Sequence, residues 1–231
     1  MYIHGKNVAL EILANNKEIE KAFLYKNFND KNIINALKKQ NINIEWFEKY
    51  ELDKLVNKNH QGIILKVPAY KYASLEEFIN NENALVVILD HLEDPHNLGA
   101  IVRTCEAAKV DGIIIPKDRS VSVNSTVMKV SAGALENIKV SQVTNLTRTI
   151  KELKNKGFWI VGTDMNGTDF EEIDYQGKIA IVIGNEGKGL SRLVREECDF
   201  IASIPMFGKT NSLNASVAAG IIIYKAKTAR R

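Results

Sequence analysis

The chain has 231 residues, with 31 Lys and Arg against 28 Asp and Glu, a formal net charge of +3. A hydrophobic content of 45% with 26% charged residues excludes wholesale disorder, and the length fits one large domain or two small ones. No apolar run approaches the roughly 18–20 residues that cross a bilayer, and Cys105 and Cys198 cannot make a disulfide framework. The first ten residues carry His4, Lys6 and Asn7 and do not read as a signal peptide, so a cytoplasmic protein is expected. Gly5 to Leu13 has helical spacing, and Ile19 to Leu24 reads as a strand. Asp30 is placed to cap a helix carrying Ile33, Ile34 and Leu37. Ile42, Ile44 and Trp46 alternate as in a strand, Leu52 to Val56 suggests a short helix, and Gly62 to Val67 is an apolar strand. Together they predict a small α/β domain over 1–70. Pro68 opens a polar connection, 71–83.

The remaining residues, 84–231, carry stronger strand signals. Ala84–Leu89, Gly112–Ile115, Phe158–Val161 and Ile179–Ile183 are continuous apolar runs. Helical patterns alternate with them over 98–108, 126–135, 146–153 and 190–197, and a long apolar helix closes the chain over 214–227. Apolar strands alternating with helices predict a parallel sheet covered on both faces. Ligands of such sheets bind beyond the carboxyl ends of the strands, which singles out the loops 90–99, 184–189 and 205–214.

Charge divides the chain as well. Residues 1–70 hold 11 lysines against eight acidic residues, whereas 71–231 are balanced at 20 and 20. A basic module joined to a neutral one fits a polyanionic partner. Base composition of the genome is the other reading of so many Lys and Asn.

Several motifs are decoys. Gly184-Asn185-Glu186-Gly187-Lys188-Gly189 is not a P-loop, because Leu190 stands where the lysine belongs, and Gly208-Lys209-Thr210 lacks its first glycine at Ser203. No dinucleotide fingerprint is present. The glycines of 184–189 allow positive φ and close ligand approach, or simply make a strand–helix turn. His91, Glu93, Asp94 and His96 fit no metal spacing, and no metal is expected. Asn124, Asn145, Asn166 and Asn214 each begin an N-x-S/T sequon, without meaning in the absence of secretion. Asn97 is placed to cap a helix beginning near Leu98, Gly99 leaves room for a close neighbour, and Arg103 offers a fork for phosphate.

Three blocks, in order and spacing, resemble the SpoU/TrmH family of RNA ribose 2′-O-methyltransferases: Leu89–Thr104, Ile183–Ser191, and Ile204-Pro205-Met206 with Ser212-Leu213-Asn214-Ala215-Ser216-Val217-Ala218. His4-Gly5-Lys6-Asn7-Val8 and His60-Gln61-Gly62-Ile63 are similar to the substrate-binding domain of the bacterial enzymes that methylate a guanosine of 23S rRNA. The resemblance implies a small L30e-like α/β domain, then an α/β SPOUT domain whose C-terminal part threads a deep trefoil knot. It implies S-adenosylmethionine as cofactor, RNA as partner, and a homodimer packed through the knotted domain. By motif, Asn97, Arg103, Glu186, Ser212 and Asn214 become active-site residues, with Glu106 in support, and Arg103 positions or activates the ribose 2′-OH at a dimer-interface site. Gly184, Gly187, Gly189, Ile204 and Leu213 become cofactor-pocket residues. Cys105 stands where the family has alanine. A tRNA target, or a catalytically silent RNA-binding protein of the same fold, are the competing readings.

Overall fold

A computed structural model of the protein describes residues 1–15, 17–56 and 59–230. The chain divides into two compact units, Met1–Lys71 and Tyr72–Arg231.

The first unit holds strands β1 (Tyr2–His4), β2 (Lys21–Tyr25), β3 (Ile44–Phe47) and β4 (Ile63–Lys66). Its helices are α1 (Lys6–Ala14), α2 (Lys31–Lys39) and α3 (Lys49–Leu55). The sheet runs in the order β1-β4-β2-β3, with β2 and β3 parallel and the other pairs antiparallel. Asp30 caps α2 as its type predicts, accepting the Ile33 amide at 3.3 Å. β1 escaped the sequence reading because three residues give no period to read; it exists by pairing with β4, Ile3 opposite Leu65. Phe23, Leu52 and Ile64 form the core on the α3 side of the sheet. Ala22 and Leu24 alternate to the opposite face, and neither is exposed. That face is covered by the apolar stripes of α1 (Ala9, Ile12, Leu13) and α2 (Ile33, Leu37).

The second unit is built on strands β5 (Leu85–Leu89), β6 (Gly112–Pro116), β7 (Lys139–Val143), β8 (Phe158–Asp169), β9 (Lys178–Ile183) and β10 (Phe200–Ser203). They form one sheet in the order β10-β8-β9-β5-β6-β7, every pair parallel. All residues of β5 and β6 are buried, which explains their uninterrupted apolar sequence. The helices are α4 (Pro95–Ala107), α5 (Ser125–Val130), α6 (Leu146–Asn155), α7 (Arg192–Glu196) and α8 (Ala215–Thr228). The pattern read as one helix over 126–135 is interrupted. α5 ends where Ala132 and Gly133 take positive φ of 48° and 84°, and a single 3-10 turn follows. Of the outer strands, β7 has only Val140 and Val143 as apolar residues, and β10 is only four residues long, so neither stood out as a strand. The stretch 71–83 is part of this unit from Tyr72 on: Phe78 and Ile79 are buried in its core, and the Ala73 amide donates to the Val140 carbonyl.

Asparagine side chains open three of these helices. Asn124 accepts the amides of Thr126 and Val127, Asn145 that of Arg148, and Asn214 that of Ser216. Three of the four sequons thus begin with helix N-caps, whose asparagine side chains satisfy amides of the first turn. Gly99 permits a close helix contact. A Cβ there would lie 2.6 Å from that of Val130, so α4 and α5 touch through it.

The strand order reverses between β5 and β9. Beyond their carboxyl ends lie the loop to α4 and the glycine turn 184–189, the place where open parallel sheets bind ligands.

Candidate active site

The site grows out of three strand ends. After β5 the chain turns at Asp90, which is buried; its Oδ1 lies 2.6 Å from His91 Nδ1, and its Oδ2 accepts the Ser191 amide at 2.6 Å. Asp90 therefore ties the first loop to the segment after the glycine turn. α4 then starts at Pro95, with Asp94 as its cap through the His96 amide. This corrects the expectation for Asn97. It is not a cap but lies inside α4, where proline at the first helical position had already begun the helix. Its side chain is free to act elsewhere.

After β9, Asn185 and Gly189 exchange both backbone hydrogen bonds at 2.9 Å and close the turn. The Asn185 side chain accepts the amides of Gly187 and Lys188 and donates to the His91 carbonyl. Gly189 has a φ of 64°. A Cβ on Gly184 would come within 2.5 Å of the Gly189 carbonyl carbon. Both glycines are thus demanded by the turn itself. After β10, the segment 204–214 leads to α8, which Asn214 caps.

These three places meet. Asn97 Nδ2 donates to Glu186 Oε1 at 2.9 Å, and Asn214 Nδ2 donates to Asn97 Oδ1 at 3.0 Å. Asn214 Oδ1 in turn accepts from Ser216. Asn97 is buried and Glu186 is exposed, so the chain of amides reaches from the protein interior to a carboxylate facing solvent.

Beside this chain lies a cavity of about 370 Å³. Every pocket residue expected from sequence lines it: Gly184, Gly187, Gly189, Ile204 and Leu213. Glu186 and Ser212 line it as well, while Asn97 and Asn214 reach it through Glu186. Sequence reading gave no pocket role to Thr163, Asp164 and Met165 in the middle of β8, or to Ala218 and Ile222 on α8. β8 is 12 residues long, and its apolar signal stops at Val161, so nothing in the sequence announced that its polar half continues into the site. Asp164 is held by an ion pair with Arg195.

Arg103 is not brought to the cavity. It is exposed on α4, does not line the pocket, and has no hydrogen-bond or ion-pair partner among the described residues. Among the described residues, the Glu106 side chain receives only a long hydrogen bond, 3.4 Å, from Asn137. Burial pushes the Cys105 thiol up, and burial with the nearby Asp199 and Asp90 pushes Cys198 up to about 12.

Residues 84–224 match the SpoU rRNA methylase family, and residues 2–73 match the domain described as RNA 2′-O ribose methyltransferase substrate binding. The chain belongs to the SpoU rRNA methylase family. It is 45% identical over 233 residues to a Bacillus subtilis protein named as a TrmH family tRNA/rRNA methyltransferase, covering 97% of this chain and 94% of that one. Among solved structures, the SpoU methyltransferase AviRb of Streptomyces viridochromogenes, in complex with AdoMet, shares the fold. Its TM-score is 0.78 at 23% identity, over 99% of this chain and 89% of that one. The A. aeolicus TrmH/SpoU tRNA modifying enzyme has a TM-score of 0.59 at 34% identity, over 67% and 80%. Among the described residues of this SpoU family member, no helix is long and apolar enough to cross a membrane.

Proposed function

We propose that the protein methylates a ribose 2′-hydroxyl of RNA from S-adenosylmethionine, with a guanosine of 23S rRNA as its target. The observation that carries the reading is the meeting of Asn97, Glu186 and Asn214, from three separate strand ends, beside one cavity.

The cavity suits the cofactor. Its volume lies within the roughly 300–1,000 Å³ of small-molecule sites. Ile183, Ala202, Ile204, Leu213 and Ile222 make an apolar wall for a purine, while Glu186, Asp164 and the glycine turn offer polar groups and negative charge for hydroxyls and a sulfonium. When bound, S-adenosylmethionine supplies an electrophilic methyl on sulfur. The residues of the chain do the rest. Asn97 and Asn214 fix the rotamer of Glu186, and Ser212 presents a hydroxyl at the cavity edge, so the attacking oxygen is held in line with little freedom to lose. A bond forms from the ribose oxygen to the methyl carbon as the bond from carbon to sulfur breaks, and the hydroxyl proton leaves to solvent or to a neighbouring phosphate. A guanidinium stays protonated, so Arg103 clamps that phosphate and stabilises charge developing on the oxygen.

Arg103 stands apart from the cavity within one chain. In the proposed enzyme a second copy, packed through a knotted C-terminal region that includes α8, brings Arg103 to the site.

The test incubates the purified protein with methyl-labelled S-adenosylmethionine and, separately, unmodified large-subunit rRNA and bulk tRNA, then digests each RNA. The expected product is 2′-O-methylguanosine in rRNA alone. A tRNA target is the second reading, favoured by the 34% identity to the A. aeolicus enzyme. Label in tRNA alone would establish it. Cofactor binding without label in either RNA would indicate a silent RNA-binding protein.

A further inference from the structure

The excess positive charge of the first unit is not spread over its surface. Lys21 pairs with Glu45, Lys26 with Glu48 and Lys66 with Glu20, each at 2.8 Å. α3 carries Lys49 and Lys54, but also Glu51 and Asp53, and its Lys54 lies over the ring of Tyr50. α1 has one lysine and one glutamate. α2 alone is basic without an acid in its length: Lys31, Lys38 and Lys39 are exposed on it. None of the three has an ion-pair partner among the described residues. The acid next to the helix, Asp30, is occupied as its cap.

A large aromatic ring stands on the same side of the sheet. β3 is an edge strand, and Trp46 on it is registered against Leu24, whose face is opposite that of Phe23 and α3. Trp46 therefore lies on the face that α2 covers, yet it is 46% exposed. The sheet does not need it there as core, since Ile33, Leu37 and Leu24 are already fully buried.

We propose that the α2 face of the first unit, with Trp46 at its border, is a docking surface for single-stranded RNA. Lys31, Lys38 and Lys39 contact phosphates, and an unpaired base stacks on Trp46. This rests on the RNA-methyltransferase reading above and deepens it, naming where and by what chemistry the substrate is gripped outside the cavity. The occupant follows from charge and shape together. Three unpaired cations along one helix suit a chain of phosphates, and an exposed indole suits a nucleobase, whose stacking tolerates any sequence.

The experiment measures binding of the full-length protein to unmodified large-subunit rRNA across a salt series. In K31Q/K38Q/K39Q, affinity at low salt should fall at least about tenfold, and the slope of log affinity on log salt should shrink by about 1 per lysine. W46A should lose about tenfold with the slope unchanged, and W46F should recover most of it. The α3 variant K49Q/K54Q should change little. Unaltered affinity and slope in the α2 variant, or an equal loss in the α3 variant, would overturn the proposal while leaving the enzyme reading intact. Cofactor binding by calorimetry and the thermal melt serve as checks that the variants fold. Wild-type protein that neither binds nor methylates rRNA or tRNA would remove the RNA reading and this surface with it.

Discussion

At the scale of single residues, the proposed chemistry rests on Asn97. Its amide touches both Glu186 and Asn214, donating to the first and accepting from the second. Truncation in Asn97→Ala removes both hydrogen bonds, but Glu186 and Asn214 are exposed and turn to water instead, so the cost is about 0.5–1.5 kcal/mol. The carboxylate also loses its fixed direction, and misplacement of that kind lowers rate by roughly 10²-fold. The expected result is a modest drop in melting temperature with a large fall in single-turnover methylation. Equal retention of rate and stability would show that the amide chain is ornamental. The two thiols give a prediction in pH. Both are held up in the folded protein, Cys198 to about 12 from an ordinary value of 9.0. A raised thiol means that the folded state favours the protonated form. Its contribution to stability is therefore complete below pH 9 and is lost as pH climbs from there toward 12. Iodoacetamide at pH 8 should modify neither cysteine in native protein and both after denaturation, as read by mass spectrometry.

At the scale of elements, the asparagine caps separate structure from function. Asn145 and Asn214 do the same local work, each accepting an amide of the first helical turn at 2.9 Å. Replacing either by alanine should cost about 1 kcal/mol. Only Asn214 also donates to Asn97, so only Asn214→Ala should abolish methylation, while Asn145→Ala should melt earlier and turn over normally. If the two variants lose activity alike, capping alone accounts for Asn214. The same elements show what sequence reading can see. β5, β6 and β9 were legible because strands buried on both faces must be apolar throughout. α5 was drawn too long, because the periodicity of 126–135 continues through a break that exists only in the backbone angles of Ala132 and Gly133. The role of Asn97 was misread for a related reason. A cap and an interior helical asparagine look the same until the helix start is fixed by Asp94 and Pro95.

At the scale of the molecule, Arg103 poses the question. A SpoU chain carries the cavity and the amide network, yet its arginine is exposed elsewhere on α4. In a dimer that shares its sites, R103A and E186Q would each be inactive alone, and mixing them after joint refolding would regain activity, since one site of the mixed dimer is whole. No recovery on mixing, with dimers present by sedimentation, would place Arg103 and Glu186 in the same chain's site.

The residue types of the site were readable in the chain itself. Glycines that only a tight turn explains and a carboxylate inside that turn follow local rules that need no tertiary context. So was the pattern of buried strands, since the burial of a parallel sheet is written into its hydrophobicity. Folding decided which of these residues meet. Asn97 and Glu186 stand 89 positions apart, and Asn97 and Asn214 stand 117 apart. Their contact depends on β5 and β9 lying side by side, an order set by long-range packing rather than by any local preference. The polar half of β8 entered the site for the same reason, and Arg103 was left out of it.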